Sequence, residues 1–113
     1  NGAGKTTTLG CLTGEVLPSA GEVFVAGHSA LGPGSAAAWR RLGNCPQADA
    51  LWPSVSGRLH LVFFARMKGV PRDEAAAEAD ALLERLGIEP RDRDKPARKY
   101  SGGMKRRLCV AIA

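Results

Sequence analysis

The sequence predicts an α/β fold. Three observations point to it: a glycine-rich turn opening a helix at one end, "NGAGKTTTLGCL"; a short alternating stretch between glycines, "GEVFVAG"; and two amphipathic helical stripes from residue 57 onward. The chain has 113 residues, the size of one small domain, and 44% of them are apolar, as in ordinary globular proteins. No apolar run approaches the ~18 residues of a membrane span, and no signal-peptide pattern is visible. Any membrane role is therefore expected from segments outside these residues.

Along the chain, residues 5–13 are predicted as a helix ended by Gly14, with Leu9 and Leu12 on its buried side. Residues 21–27 alternate as a strand. "GHSALGPGSAAA" reads as a loop, after which Trp39 to Leu42 begins a short helix. From Gly57, an apolar stripe of Leu59, Val62, Phe63 and Met67 is closed by Gly69. A second helix runs from Pro71 to Leu86, with Ala75, Ala79, Leu82 and Leu86 on one face and Gly87 at its end. Core packing explains both stripes. The chain closes on "LCVAIA", a buried-helix pattern.

Three stretches carry chemistry. Gly4, Lys5 and Thr6 supply the last three positions of the phosphate-loop pattern G-x-x-x-x-G-K-[ST], whose first glycine would fall two residues before Asn1. Backbone N–H groups at Gly2, Ala3 and Gly4 can surround phosphate oxygens, Lys5 can reach the β- and γ-phosphates, and the Thr6 hydroxyl can meet Mg²⁺. Alone, the match also fits a glycine-rich turn before a small helix. In "KYSGGMKRR", residues 99–107, Ser101 is a good N-cap, and Gly102 and Gly103 leave the backbone bare at a helix start that favours anions. Lys105, Arg106 and Arg107 add positive field. Alone, this stretch fits a capped helix with a solvated basic face. The third stretch is "LGNCPQADALW", residues 42–52, centred on Gln47.

With all three in this order, the chain resembles the ATP-binding cassette, the nucleotide-binding domain of ABC transporters. In that family "NGAGKTT" is the end of the Walker A loop, "CPQ" the glutamine loop, and "YSGGMKRRLCVAIA" a variant of the LSGGQ signature with its helix. The resemblance covers essentially the whole chain. "NCPQADALWPSVSGRLHLVFFARMKGV" further looks like the subfamily A pattern, in which Ser56, Gly57, Arg58, His60 and Leu61 match, Leu59 replaces a glutamate, and Met104 replaces the signature glutamine.

The resemblance implies a partial P-loop NTPase cassette: a piece of the RecA-like core, a β segment and a helical subdomain, with an incomplete central sheet. Residues 1–56 would hold phosphate loop, β segment and glutamine loop, 57–100 the helical subdomain, and 101–113 the signature motif and helix. Asn1, Gly2, Ala3, Gly4, Lys5, Thr6, Thr7 and Gln47 would contact ATP, with Thr6 and Gln47 on Mg²⁺. Ser101, Gly102, Gly103 and Met104 would contact ATP held by a second, head-to-tail cassette. Transmembrane domains would be the other partner, placing the chain on the cytosolic face of a membrane, with lipids or related amphiphiles as cargo. The family's Walker B carboxylates, catalytic glutamate and switch histidine all follow the signature. His28, His60, Asp49 and Glu22 do not match those positions, so no catalytic residue is assigned, and the isolated chain is expected to fold poorly and not to hydrolyse ATP.

Two other readings stay open. A non-enzymatic nucleotide-binding remnant of a truncated gene would keep the phosphate motifs alone. A soluble, non-transport ABC ATPase is the second, although the 96 positions between Lys5 and Ser101 exclude the long coiled-coil insertion of chromosomal types. The net charge of +5 concentrates between Arg85 and Arg107, yet "RDRDKPARK" mixes both signs without aromatics, so no nucleic acid is expected. Cys11, Cys45 and Cys109 lack metal spacing and are expected to be small buried hydrophobes with free thiols.

Overall fold

A computed structural model describes every residue except Asn1 and Asp49. The chain divides into two compact units, residues 1–44 and 45–113.

In the first unit, helix α1 spans Lys5–Thr13 and ends on Gly14, which adopts the left-handed conformation (φ 78°). Glycine is required there twice over, because a Cβ would also fall 2.6 Å from the Trp39 ring. The expected burial of Leu9 does not hold: Leu9 is 61% exposed, Leu12 is half-buried, and the buried position is Gly10, pressed against Val16. The strand expected over residues 21–27 contracts to β1, Phe24–Val25, which pairs antiparallel with β2, His28–Ser29. Ala26 and Gly27 join them with φ of 49° and 78°. Two consecutive positive φ values match the twist of a two-residue hairpin, so part of the expected loop is a strand. Helix α2, Ala36–Trp39, ends where a helix was expected to begin, and its buried face is Ala38.

The second unit is helical. Helix α3, Gly57–Met67, begins on Ser56, whose hydroxyl accepts the Leu59 N–H at 3.2 Å. Helix α4, Arg72–Arg85, packs along it. Both helices end in the same device. Past α3, Gly69 N–H donates to Arg66 O and Val70 N–H to Ala65 O; past α4, Gly87 N–H donates to Glu84 O and Ile88 N–H to Leu83 O. These paired bonds on a positive-φ glycine are Schellman caps. Leu83 and Ile88, the apolar pair that accompanies the second cap, are both fully buried and join Leu61, Ala79, Tyr100 and Leu108 in the core.

The buried face of α3 is not the expected stripe. Gly57, His60 and Leu61 face inward, while Leu59, Phe63 and Met67 are exposed and Val62 is half-buried. His60 decides the phase. It is fully buried, with Nε2 accepting the Trp52 N–H at 2.9 Å, so Nδ1 carries the proton and donates to Ser56 O at 2.8 Å. Trp52 stacks on the imidazole at 5.3 Å between ring centres. On α4, Ala75, Ala79 and Leu83 are buried, whereas Leu82 and Leu86 are only half-buried. Of the cysteines, Cys109 alone is buried; Cys11 and Cys45 are half-exposed.

The mixed-charge stretch is more ordered than a plain solvated face. It holds α5, Pro90–Arg93, and a 3₁₀ turn, Ala97–Lys99. The segment before α3 runs beside that turn, Ala97 N–H donating to Val55 O and Arg98 N–H to Pro53 O. Asp80 on α4 receives the Arg58 guanidinium as a fork, both bonds 2.8 Å, and lies 4.0 Å from Arg93. The Arg58 hydrogen bonds hold the Asp80 carboxyl below its ordinary range against the opposing effect of burial. A lowered folded pKa stabilises above the ordinary carboxylate range and loses that contribution as pH falls through the lowered value. Both groups are about one-third exposed, so Asp80→Asn is expected to cost less than about 1 kcal/mol. The Tm gap between wild type and variant should narrow as pH falls below the ordinary carboxylate range. A constant gap would assign the loss to something other than the ion pair.

Helix α6, Gly102–Ile112, completes the unit, and Tyr100 fixes its entry. The Tyr100 ring is buried, and its hydroxyl donates to Asp92 O at 2.9 Å. Burial raises the phenol pKa. A Cβ at Gly57 would fall 2.2 Å from that hydroxyl. Gly57→Ala is therefore expected to destabilise the unit by about 1–3 kcal/mol, read as a lowered Tm. Tyr100→Phe in the same background should recover part of the loss by removing the clashing oxygen. No recovery would mean that the contact is not what excludes a side chain at residue 57.

Candidate functional site

The site residues in the first unit stand at the start of α1. Gly2 and Gly4 both have φ of 80°, and nothing lies within 4 Å of where a Cβ would stand on either. Their left-handed backbone bends the chain into an open cradle. Gly2, Ala3, Gly4, Lys5, Thr6 and Thr7 together line one concavity of about 330 Å³. Asn1 lies outside the described residues.

Helix geometry supplies the electrostatics. The first intrahelical bond is Thr8 N–H to Gly4 O at 2.8 Å, which leaves the N–H groups before it without helical partners. Gly4 supplies no side-chain cap and the first turn holds no acidic residue, so nothing within the helix neutralises its positive end. The threonine run divides by role. Thr8 and Thr13 turn their hydroxyls back onto the carbonyls of Gly4 and Leu9 at 2.9 and 3.0 Å. Lys5, Thr6 and Thr7 make no side-chain hydrogen bond or ion pair among the described residues and are exposed. One ammonium, two hydroxyls and a set of unpartnered amides thus face a common concavity. Such a donor set fits phosphate oxygens, and the Thr6 hydroxyl is of the type that ligates Mg²⁺ beside them.

The second unit carries the other site residues. Ser101 is the N-cap of α6, its hydroxyl accepting the Met104 N–H at 3.2 Å. The first α6 backbone bond, Lys105 N–H to Ser101 O at 2.9 Å, leaves the amides of Gly102 and Gly103 ahead of the ladder. Neither glycine has a positive φ, and neither has an atom within 4 Å of a prospective Cβ. Glycine in a helix costs up to about 1 kcal/mol relative to alanine. Gly14 and Gly57 are demanded by crowding inside the chain; Gly102 and Gly103 are not. Met104 packs on the core cluster, so its side chain is structural at least in part.

Gln47 is exposed in the same unit as Ser101. The residue before it, Pro46, accepts a hydrogen bond from the Arg106 guanidinium of α6. The sequence marked Arg106 only as part of a basic field; the arginine pair after the signature glycines was the available signal. Among the described residues, no group of three or more His, Cys, Asp and Glu side chains converges as a metal site, and no helix is long and apolar enough to cross a membrane.

Comparison with known proteins gives one family throughout. A family model described as ABC transporter matches residues 1–113. The mouse protein ATP-binding cassette sub-family A member 7 is 50% identical over 113 residues, covering 100% of this chain and 5% of that protein. Human phospholipid-transporting ATPase ABCA7 is 47% identical and human retinal-specific phospholipid-transporting ATPase ABCA4 42%, each with the same coverage. A solved structure described as the ATP binding subunit of an ABC transporter superposes with a TM-score of 0.77 and 26% identity, over 100% of this chain and 46% of that one. The chain thus spans only a small part of these mammalian relatives.

Proposed function

The chain belongs to the ABC transporter family, and from that premise we propose that it forms the part of an ATP-binding cassette that presents two separate faces to nucleotide. Lys5, Thr6, Thr7 and the amides of the preceding glycine turn hold the phosphates of the cassette's own ATP. Ser101, Gly102 and Gly103 meet the terminal phosphate of ATP held by a second cassette, paired head to tail.

The observation that carries this reading is the unpartnered donor set around Gly2–Thr7, in a cradle shaped by two positive-φ glycines. Thr6 and Gln47 would hold Mg²⁺, which would supply positive charge to offset that of the phosphates. The chain's own contribution is to hold and orient. Lys5 places a point charge over the outer phosphates, Thr6 offers a hydroxyl to the metal, and Gln47 offers a side-chain oxygen to it. ATP-driven pairing then shifts the equilibrium between open and closed cassettes. The names of the human relatives make phospholipid the proposed cargo, moved by transmembrane domains of the same protein.

Equilibrium titration with a fluorescent ATP analogue tests the phosphate site. Saturable binding, displaced by unlabelled ATP and weakened by chelating Mg²⁺, is expected. Binding that does not saturate, or that ignores both, would contradict the assignment.

A further inference from the structure

Two consecutive arginines hold the start of α6. Arg107 Nη1 donates to Leu86 O at 2.7 Å, at the end of α4, while its Nε reaches Gly103 O at 3.4 Å. Arg106 reaches elsewhere, and its guanidinium donates to Pro46 O. That carbonyl belongs to the residue immediately before Gln47. Arg106 is exposed and makes no other hydrogen bond or ion pair among the described residues, so its contribution is this attachment rather than core packing. A guanidinium donating to a carbonyl is charge-assisted, and its planar fork limits the directions the loop can take.

We infer that Arg106 is a positioning residue that fastens the Gln47 loop to the signature helix, so that the element facing the cassette's own metal and the element facing the partner's nucleotide move together. The functional half of this inference rests on the proposed placement of Gln47 and Ser101 at nucleotide. The mechanical half does not. A displacement of Gln47 on metal binding would pull on α6 one turn after Ser101, and partner nucleotide at Ser101 would in turn restrict Gln47.

A native thiol reports the mechanical half. Cys45 is half-exposed and lies next to Pro46, with Sγ 3.8 Å from the same carbonyl, whereas Cys109 is buried in the same unit and Cys11 lies in the other. Maleimide labelling of the full chain, followed site by site by mass spectrometry, should show Arg106→Ala raising the Cys45 rate about fivefold with Cys11 and Cys109 unchanged. Arg106→Lys, which keeps a charged donor, should stay close to wild type. An unchanged Cys45 rate in Arg106→Ala would overturn the inference, as would a parallel rise at all three thiols or equal effects of Ala and Lys.

The functional half is read from the Mg²⁺ concentration needed for half-maximal binding of an ATP analogue. Arg106→Ala and Gln47→Ala should each raise it, and the double variant should be no worse than Gln47→Ala alone. Independent, multiplying effects would overturn the coupling. If Cys45 responds to Arg106→Ala but Gln47→Ala leaves the Mg²⁺ requirement unchanged, the attachment stands and the placement of Gln47 at the metal falls.

Discussion

Lys5→Ala is expected to weaken MgATP binding about 100-fold while leaving the fold intact. The two halves of that expectation have separate causes. Lys5 is exposed and has no partner among the described residues, so its removal strands no buried group and opens no cavity. Surface changes of that kind move stability by less than about 0.5 kcal/mol. A charged donor lost from phosphate, by contrast, removes one of the strong hydrogen bonds, worth about 1.5–3 kcal/mol. The helix amides and the Thr6 hydroxyl remain, which is why binding should fall steeply rather than vanish. Titration with a fluorescent ATP analogue reads the first effect and thermal melting the second. A variant that binds within twofold of wild type would show that the cradle is only a turn before a helix.

Replacing both Gly102 and Gly103 by alanine is expected to separate stability from function in the opposite sense. Nothing within 4 Å would meet the new methyl groups, and neither position has a positive φ. Alanine loses less conformational entropy on entering a helix, so the variant should melt as high as wild type or higher, by up to about 1 kcal/mol per site. Yet the methyl groups would stand over the amides that lead α6 and keep phosphate oxygens away from them. Nucleotide-dependent association of two cassettes should therefore be lost, with MgATP binding at Lys5 retained. Association that survives in a protein made more stable would leave the two glycines without a function. Gly57→Ala is the contrasting case, since Tyr100 already occupies the space.

The ends of α1, α3 and α4 and the start of α6 were the most legible part of the fold, because local chemistry sets them. Gly14, Gly69 and Gly87 mark helix ends through positive φ, and Ser101 caps α6 through its own hydroxyl. Those features depend on a few neighbouring atoms, which is what a sequence carries. The phase of α3 was not legible. Apolar spacing offered Leu59, Phe63 and Met67 as the inner face, but the inner face is chosen by His60, whose ring finds a donor at Trp52 and an acceptor at Ser56. A buried histidine with both nitrogens satisfied outweighs a row of apolar side chains that stays largely exposed, Phe63 packing only edge-on against Trp52. The hairpin was missed for a similar reason, since Ala26 enters positive φ without the asparagine or glycine that usually announces such a turn.

The candidate site divides along the same line. The identities of Lys5, Thr6, Ser101, Gly102 and Gly103 were readable because each is a type that phosphate chemistry selects. The cradle formed by Gly2 and Gly4 was readable as permission for positive φ, and both glycines adopt it. Arg106 was not singled out, because its partner is a backbone carbonyl that carries no side-chain signal and lies 60 positions away.

The central claim is that one chain serves two nucleotides through two different surfaces. It is tested most directly by solving the structure of the intact protein with Mg²⁺ and a non-hydrolysable ATP analogue. The account predicts Lys5 on the outer phosphates and Thr6 on the metal of one nucleotide, with Ser101 and the Gly102 and Gly103 amides on the terminal phosphate of a nucleotide held by the second cassette. Nucleotide bound away from Lys5, or a Ser101 that meets no phosphate in the closed pair, would contradict it.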